Sequence, residues 1–149
     1  GQVIRISLQR YGNRKVTIYG VYGPWDRRGR PKFWEGFHAR CDRAQSEHIL
    51  IIGDLNCYSN RRLDCARGLH DDPLEGTTEE FVALQENYGM IDAWRIRNPT
   101  KRRYTWFGPN EVASRIDTCL VSPPLDSRVL RCEMLVKPVF TTDHCPVQV

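Results

Sequence analysis

At 149 residues the chain is long enough to bury one core, and its length argues for a single domain over 1–149. An apolar fraction of 40%, with four Trp, six Tyr and five Phe, excludes a disordered segment, and no apolar run approaches the roughly 20 residues of a membrane helix. Lys and Arg outnumber Asp and Glu by 22 to 18, a mild basic bias that suits a polyanionic partner without identifying one.

In chain order, Val3, Ile4, Ile6 and Leu8 alternate, a turn follows at 11–15, and Val16, Ile18 and Val21 resume. Two β-branched runs about a Gly-Asn turn predict a hairpin. Residues 22–31 are a loop rich in Pro, Gly and Arg. Over 32–44, Phe33, Trp34, Phe37 and Cys41 share one helical face and read as core. The run HILIIGDLN (48–56) suits a strand buried on both faces. Residues 60–76 show no period and read as a long loop. Thr77 and Glu80 predict a capping box, with Phe81, Leu84 and Tyr88 the buried stripe of a helix that Gly89 stops.

Short strands are expected at 90–94 and 103–108, around a basic loop. Others are expected at 114–122, stopped by Pro123 and Pro124, at 131–140, and in the alternating last residues of 141–149. Strands alternating with helices indicate an α/β layered fold. Six Cys (41, 57, 65, 119, 132 and 145) include no Cys-x-x-Cys pair, which argues against structural zinc. A chain of this size does not need a disulfide framework, so reduced thiols in an intracellular, membrane-free protein are the expectation.

Three strand-like runs carry polar groups at an end: Asp54 with Asn56, Arg115 with Asp117, and Asp143 with His144. Residues two apart on a strand point to one side, so each of the first two pairs is expected to face a common pocket. Hydrolysis of a phosphodiester needs a divalent metal on hard oxygens, a base for water, and donors for the charged phosphorane. Asp54 suits the base or the leaving-group acid, Asn56 an amide that orients it or donates to phosphate. His144 beside a carboxylate such as Asp117 suits a cationic donor, and Asp143 a metal ligand.

Each feature also has a plainer reading. Gly-Asp-x-Asn is most often an Asx turn. Arg115 with Asp117 reads as a structural ion pair, Asp92 as a turn or cap, and His38, His48 and His70 as surface or loop residues. Tyr22 is either a buried strand-end tyrosine or a phosphate donor.

Taken in order, VYGP (21–24), IIGDLN (51–56), YTWFGPN (104–110), SRIDTCLVS (114–122) and TTDHCPVQV (141–149) resemble the endonuclease/exonuclease/phosphatase superfamily, the DNase I-like group that includes apurinic/apyrimidinic-type endonucleases. The stretch 89–109, GMIDAWRIRNPTKRRYTWFGP, most resembles the endonuclease domain of LINE-type (non-LTR) retrotransposons. The resemblance covers essentially the whole chain. It implies a four-layer α/β sandwich, two packed and mostly antiparallel sheets flanked by helices, with the family's first strands and helix missing.

It also implies a nuclear DNA endonuclease dependent on Mg²⁺ (or Mn²⁺) that nicks one strand for target-primed reverse transcription. Double-stranded DNA and the rest of the retrotransposon polyprotein are the implied partners. Position by position, Tyr22 matches the tyrosine at the scissile phosphate, and Asp54 the base or leaving-group acid, with a share in the metal. Asn56 matches the orienting amide, Asp117 the partner of the catalytic His144, and Asp143 the metal ligand of a closing Ser-Asp-His motif in which Thr142 replaces Ser. Thr105, Trp106, Ser114 and Arg115 match the segment near the DNA. Arg61 and Arg62, with the Arg-rich stretches 26–32 and 97–103, are expected to grip backbone phosphates.

The family's Asn strand and its metal-holding Glu strand have no counterpart in these residues, and Glu35, Glu47 and Glu75 stand in the wrong order to replace them. A fragment of a longer active domain and a decayed copy both fit. Weak metal binding, little nicking and an unpaired sheet edge are then expected. A phosphoinositide or sphingomyelin phosphodiesterase of the same fold, and a non-catalytic DNA-binding module, are the alternatives.

Overall fold

The structure, a computed structural model, describes residues 1–9, 15–44, 48–66, 76–135 and 142–149, the side chains of 42–44 excepted. Strands β1 (Gln2–Gln9) and β2 (Lys15–Tyr22) pair antiparallel along their length, with Ile6 opposite Ile18. The turn expected between them lies outside the described residues, as do His70, Glu47 and Glu75. Helix α1 (Arg30–Ala44) then crosses the sheet, and β3 (His48–Asp54) returns parallel to β2, a pairing that requires such a crossover.

There follow α2 (Arg61–Asp64), α3 (Glu79–Asn87), β4 (Ile91–Asp92), β5 (Trp106–Phe107), β6 (Ala113–Ser114), β7 (Asp117–Val121), α4 (Pro123–Asp126), β8 (Glu133–Met134) and β9 (Val147–Gln148). The main sheet runs β1-β2-β3-β7-β4, with β2–β3 parallel and its other pairs antiparallel; β5–β6 and β8–β9 form two small sheets. The α/β class expected from the sequence is what forms.

The pleat divides each strand between two faces. Tyr19, Val21, Ile49, Ile51 and Leu120 lie beneath the helices and meet Trp34 and Phe37 of α1 and Phe81 and Leu84 of α3. Their rings pack edge to face or tilted, Tyr19 on Phe37 at 5.1 Å and Trp34 on Phe81 at 4.8 Å between centroids. Each such side chain contributes about 1.5–3 kcal/mol on burial. On the opposite face, Cys119 and Val121 are buried with Leu125, Met134 and Cys132, while Leu50, Ile52 and Val16 are partly covered. Towards β1 this face opens, and Ile4 and Ile6 are 69% and 50% exposed.

Local departures from the sequence reading have local causes. The cap of α3 is Thr78, not Thr77: extended backbone at Thr78 (φ −146°) lets its hydroxyl accept from Phe81 N–H at 3.2 Å. The helix ends at Asn87, with Gly89 just beyond. The long loop at 60–76 contains α2, which Asn60 caps by accepting from Leu63 N–H. The strand expected at 114–122 is two, β6 and β7, with Arg115 and Ile116 between them. That expected at 131–140 is strand at Glu133–Met134, and 136–140 lie outside the described residues.

None of the six cysteines is in a disulfide. Burial pushes the thiols of Cys57 and Cys132 up to about 11 and that of Cys119 to about 12, so these three stay protonated and unreactive. Among the described residues no helix is long and apolar enough to cross a membrane.

Candidate active site

Strands β2, β3 and β7 bring their polar tips to one edge of the main sheet. The register sets Tyr22 beside Asp54 and Asp54 opposite Asp117. Aligned residues on neighbouring strands share a face, so these three side chains form one row. Gly53 makes the row possible. Its φ is +141°, and a Cβ there would lie 2.1 Å from the Val21 carbonyl oxygen. Past Asp54 the chain turns out of the sheet at Asn56, whose φ of 48° is a left-handed value that Asn tolerates.

In that pose Asn56 donates its backbone N–H to Asp54 Oδ1 at 3.0 Å and its amide to Asp54 Oδ2 at 3.2 Å and to the Gly23 carbonyl at 2.9 Å. The Asx-turn reading and the orienting reading of Gly-Asp-x-Asn therefore describe one device. The turn itself aims the carboxylate.

His144 arrives on a segment laid antiparallel to β5, where Trp106 bridges His144 and Phe107 N–H donates to the Asp143 carbonyl. Thr105 joins this segment to β7. It is fully buried; its hydroxyl accepts from Ile116 N–H at 3.1 Å and Asp117 N–H at 3.0 Å, and its carbonyl accepts from Cys145 N–H. His144 Nδ1 then lies 2.9 Å from Asp117 Oδ2. An ionised carboxylate only accepts, so Nδ1 carries the proton and Nε2 is left for chemistry. His144 N–H donates to Thr142 Oγ1 at 3.2 Å, a bond that the hydroxyl of either Ser or Thr supplies.

One ligand atom from each of Asp54, Asp117 and His144 falls within 4.8 Å of the others. Burial raises the pKa of the Asp54 carboxyl; the Asn56 N–H opposes this, the Asp117 charge adds to it, and His144 and Arg30 oppose it. A carboxyl so tuned exchanges protons nearer neutral pH than an exposed one does.

A cleft of about 610 Å³ opens over this row, and Tyr22, Asp54, Asn56, Trp106, Asp143 and His144 all line it. Asp143 stands apart from the three-residue cluster, and its Oδ2 accepts from the Trp106 indole N–H at 2.9 Å. Ser114 is buried in the cleft wall. Arg61 and Arg62 lie on α2 and do not line the cleft, whereas Cys65 at the end of that helix does.

Arg115 departs from its expected place beside Asp117. Because residues 115–116 fall between two strands, the two-residue parity fails, and the guanidinium turns inward. It donates to Asp64 at 2.7 and 3.0 Å and to Asp92 at 2.6 Å, with the Trp94 ring 5.3 Å away. Burial works against its charge, but the Asp64 hydrogen bond and the two carboxylates outweigh it and hold its pKa above the usual value. Arg115 and Thr105 are therefore internal supports and offer no side chain to a bound strand.

Asp92 combines the expected cap, accepting from Trp94 and Arg95 N–H, with this ion pair. Sequence reasoning missed Asp64, the buried centre of the network, which also pairs with Arg95. It also did not single out Trp25, which lines the cleft, as does Arg30 of the Arg-rich stretch 26–32. Asp64 had one legible signal, an Asn four residues earlier that can cap a turn.

No protein-family model matches the chain, and no curated protein matches it in sequence. Solved structures do match in fold. An AP endonuclease from Archaeoglobus fulgidus superposes with a TM-score of 0.73 at 18% identity, over 96% of this chain and 63% of that one. The 3'-5' exonuclease NExo from Neisseria meningitidis gives 0.67 at 20%, over 96% and 62%. The catalytic domain of Xenopus laevis APE2 gives 0.62 at 21%, over 97% and 52%. The chain thus shares the fold of these nucleases and spans less than two thirds of their length.

Proposed function

We propose that this chain carries the site of a metal-dependent phosphodiesterase that nicks one strand of DNA. The observation that supports it is the convergence of Asp54, Asp117 and His144, one ligand atom of each within 4.8 Å of the others, with Tyr22, Asp54, Asn56 and His144 lining one cleft. Two carboxylates suit a hydrated Mg²⁺ or Mn²⁺, which binds through one or two such groups and keeps its waters. Asp54 and Asp117 would hold the ion, which when bound supplies charge neutralisation at the phosphate oxygens.

The remaining work falls to side chains. Asp54, held by Asn56, takes the proton of the attacking water. Asp117 accepts from Nδ1 and orients the His144 ring, and in the doubly protonated imidazolium Nε2–H donates to a phosphate oxygen. The Tyr22 hydroxyl donates beside it. In the parent element the nick primes reverse transcription in the nucleus, with the rest of a retrotransposon polyprotein as partner; the resemblance over 89–109 supports this assignment.

Supercoiled plasmid incubated with the chain in Mg²⁺, and separately in EDTA, tests the proposal. Open-circular product in Mg²⁺ alone is expected. Hydrolysis of a soluble inositol phosphate in place of nicking would transfer the site to the phosphoinositide class. Salt-sensitive DNA binding without cleavage in Mg²⁺ or Mn²⁺ would leave a non-catalytic module.

A further inference from the structure

The cleft also carries aromatic rings that phosphodiester chemistry does not use. Trp25 is 75% exposed, the most exposed aromatic side chain among the described residues. A single apolar side chain in water is ordinary, but this one stands on a backbone that is held in place. Arg30 donates to the Pro24 carbonyl at 3.2 Å and to the Trp25 carbonyl at 3.1 Å, and Asp26 Oδ1 accepts from Gly29 N–H at 2.6 Å. The backbone under Trp25 is thus fixed while its indole stands at the cleft with Tyr22 and Arg30. A second indole of the same cleft, Trp106, is fixed by its bond to Asp143. It packs so close over Gly108 that a Cβ there would lie 2.4 Å from the ring. Aromatic rings in a cleft beside phosphate-handling groups are what single-stranded nucleic acid uses as stacking platforms.

We propose that Trp25 is a base-stacking platform, and that the cleft takes a strand in which the base next to the bound phosphate has left its own stack to lie on the Trp25 indole. Both faces of a base inside continuous duplex are already covered. The substrate class is therefore nucleic acid with an interrupted stack: a single strand, a gap or an end. This rests on the nucleic-acid reading of the cleft given above.

Binding measured in EDTA separates this from cleavage. A dye-labelled oligonucleotide would be titrated as a single strand, as a continuous duplex and as a duplex with a one-nucleotide gap, against wild type, W25A and W25F. Single-stranded and gapped forms should bind more tightly than duplex. W25A should weaken them about tenfold, leave the duplex unchanged, and be largely rescued by W25F, with thermal melting unaltered. Equal binding of all three forms by W25A and wild type would overturn the proposal, as would an equal loss on all three. Stacking without plasmid nicking would sink the enzyme reading alone. Plasmid nicking by the wild type, with W25A binding the single-stranded and gapped forms as tightly as wild type does, would sink this inference alone.

Discussion

Asp54 is placed where its charge weakens the fold and serves the chemistry. Its folded-state pKa is raised, first by burial and also by Asp117, so folding favours the protonated form. That contribution is full below the unfolded pKa and is lost as pH rises through the folded value, so at neutral pH the ionised group destabilises the protein. Asp54→Asn should therefore raise the melting temperature at pH 7, and the gain should shrink in melts taken through the acidic range, while turnover is lost. Equal gains at both ends would show that the carboxyl does not titrate as described.

Gly53→Ala should destabilise by about 1–3 kcal/mol in urea titrations, because no L side chain fits φ +141° against the Val21 carbonyl. At this scale the sequence was informative where function and geometry coincide: Gly-Asp-x-Asn shows its turn and its polar pair in four letters. It was silent on Trp25, because a Pro- and Arg-rich loop has no period from which to infer a direction.

Elements fix where those residues meet, and here parity was the weak guide. Period two holds along β2 and β3 and so delivers Tyr22, Asp54 and the buried Tyr19, Ile49 and Ile51. It breaks between β6 and β7, which sends Arg115 into the network with Asp64 and Asp92 rather than into the cleft. A buried ion network that loses one partner leaves charge uncompensated. Arg115→Met should therefore cost about 3–5 kcal/mol, read as a lowered denaturation midpoint.

The α3 cap offers a second test. Thr78→Ala should cost about 1 kcal/mol, whereas Thr77→Ala should not, since the Thr77 hydroxyl is buried without a partner among the described residues. The Thr-x-x-Glu pattern points to Thr77 because it scores spacing, and the helix start is set by backbone geometry one residue later.

At the scale of the molecule, one face of the sheet is covered by α1 and α3, and the other is covered near β7 and open at β1. Register lines up Ile6, Ile18, Leu50 and Val121 as a row across four strands whose exposure grows towards the β1 edge. An exposed apolar face on the outermost strand among the described residues invites self-association. Ile6→Thr should lower light scattering at high protein concentration and leave the cleft unaffected. Alternation in the sequence announces a sheet with two faces, but which neighbour covers each face is a property of the assembled layers.

The central claim is that Asp117 and His144, beside Asp54, form one hydrolytic unit, and a double-mutant comparison of plasmid nicking in Mg²⁺ tests it most directly. Asp117→Asn and His144→Ala should each slow nicking by about 10²–10⁴-fold, and the double variant should be no slower than the worse single one. Full-rate nicking by either variant, or losses that multiply in the double variant, would contradict it.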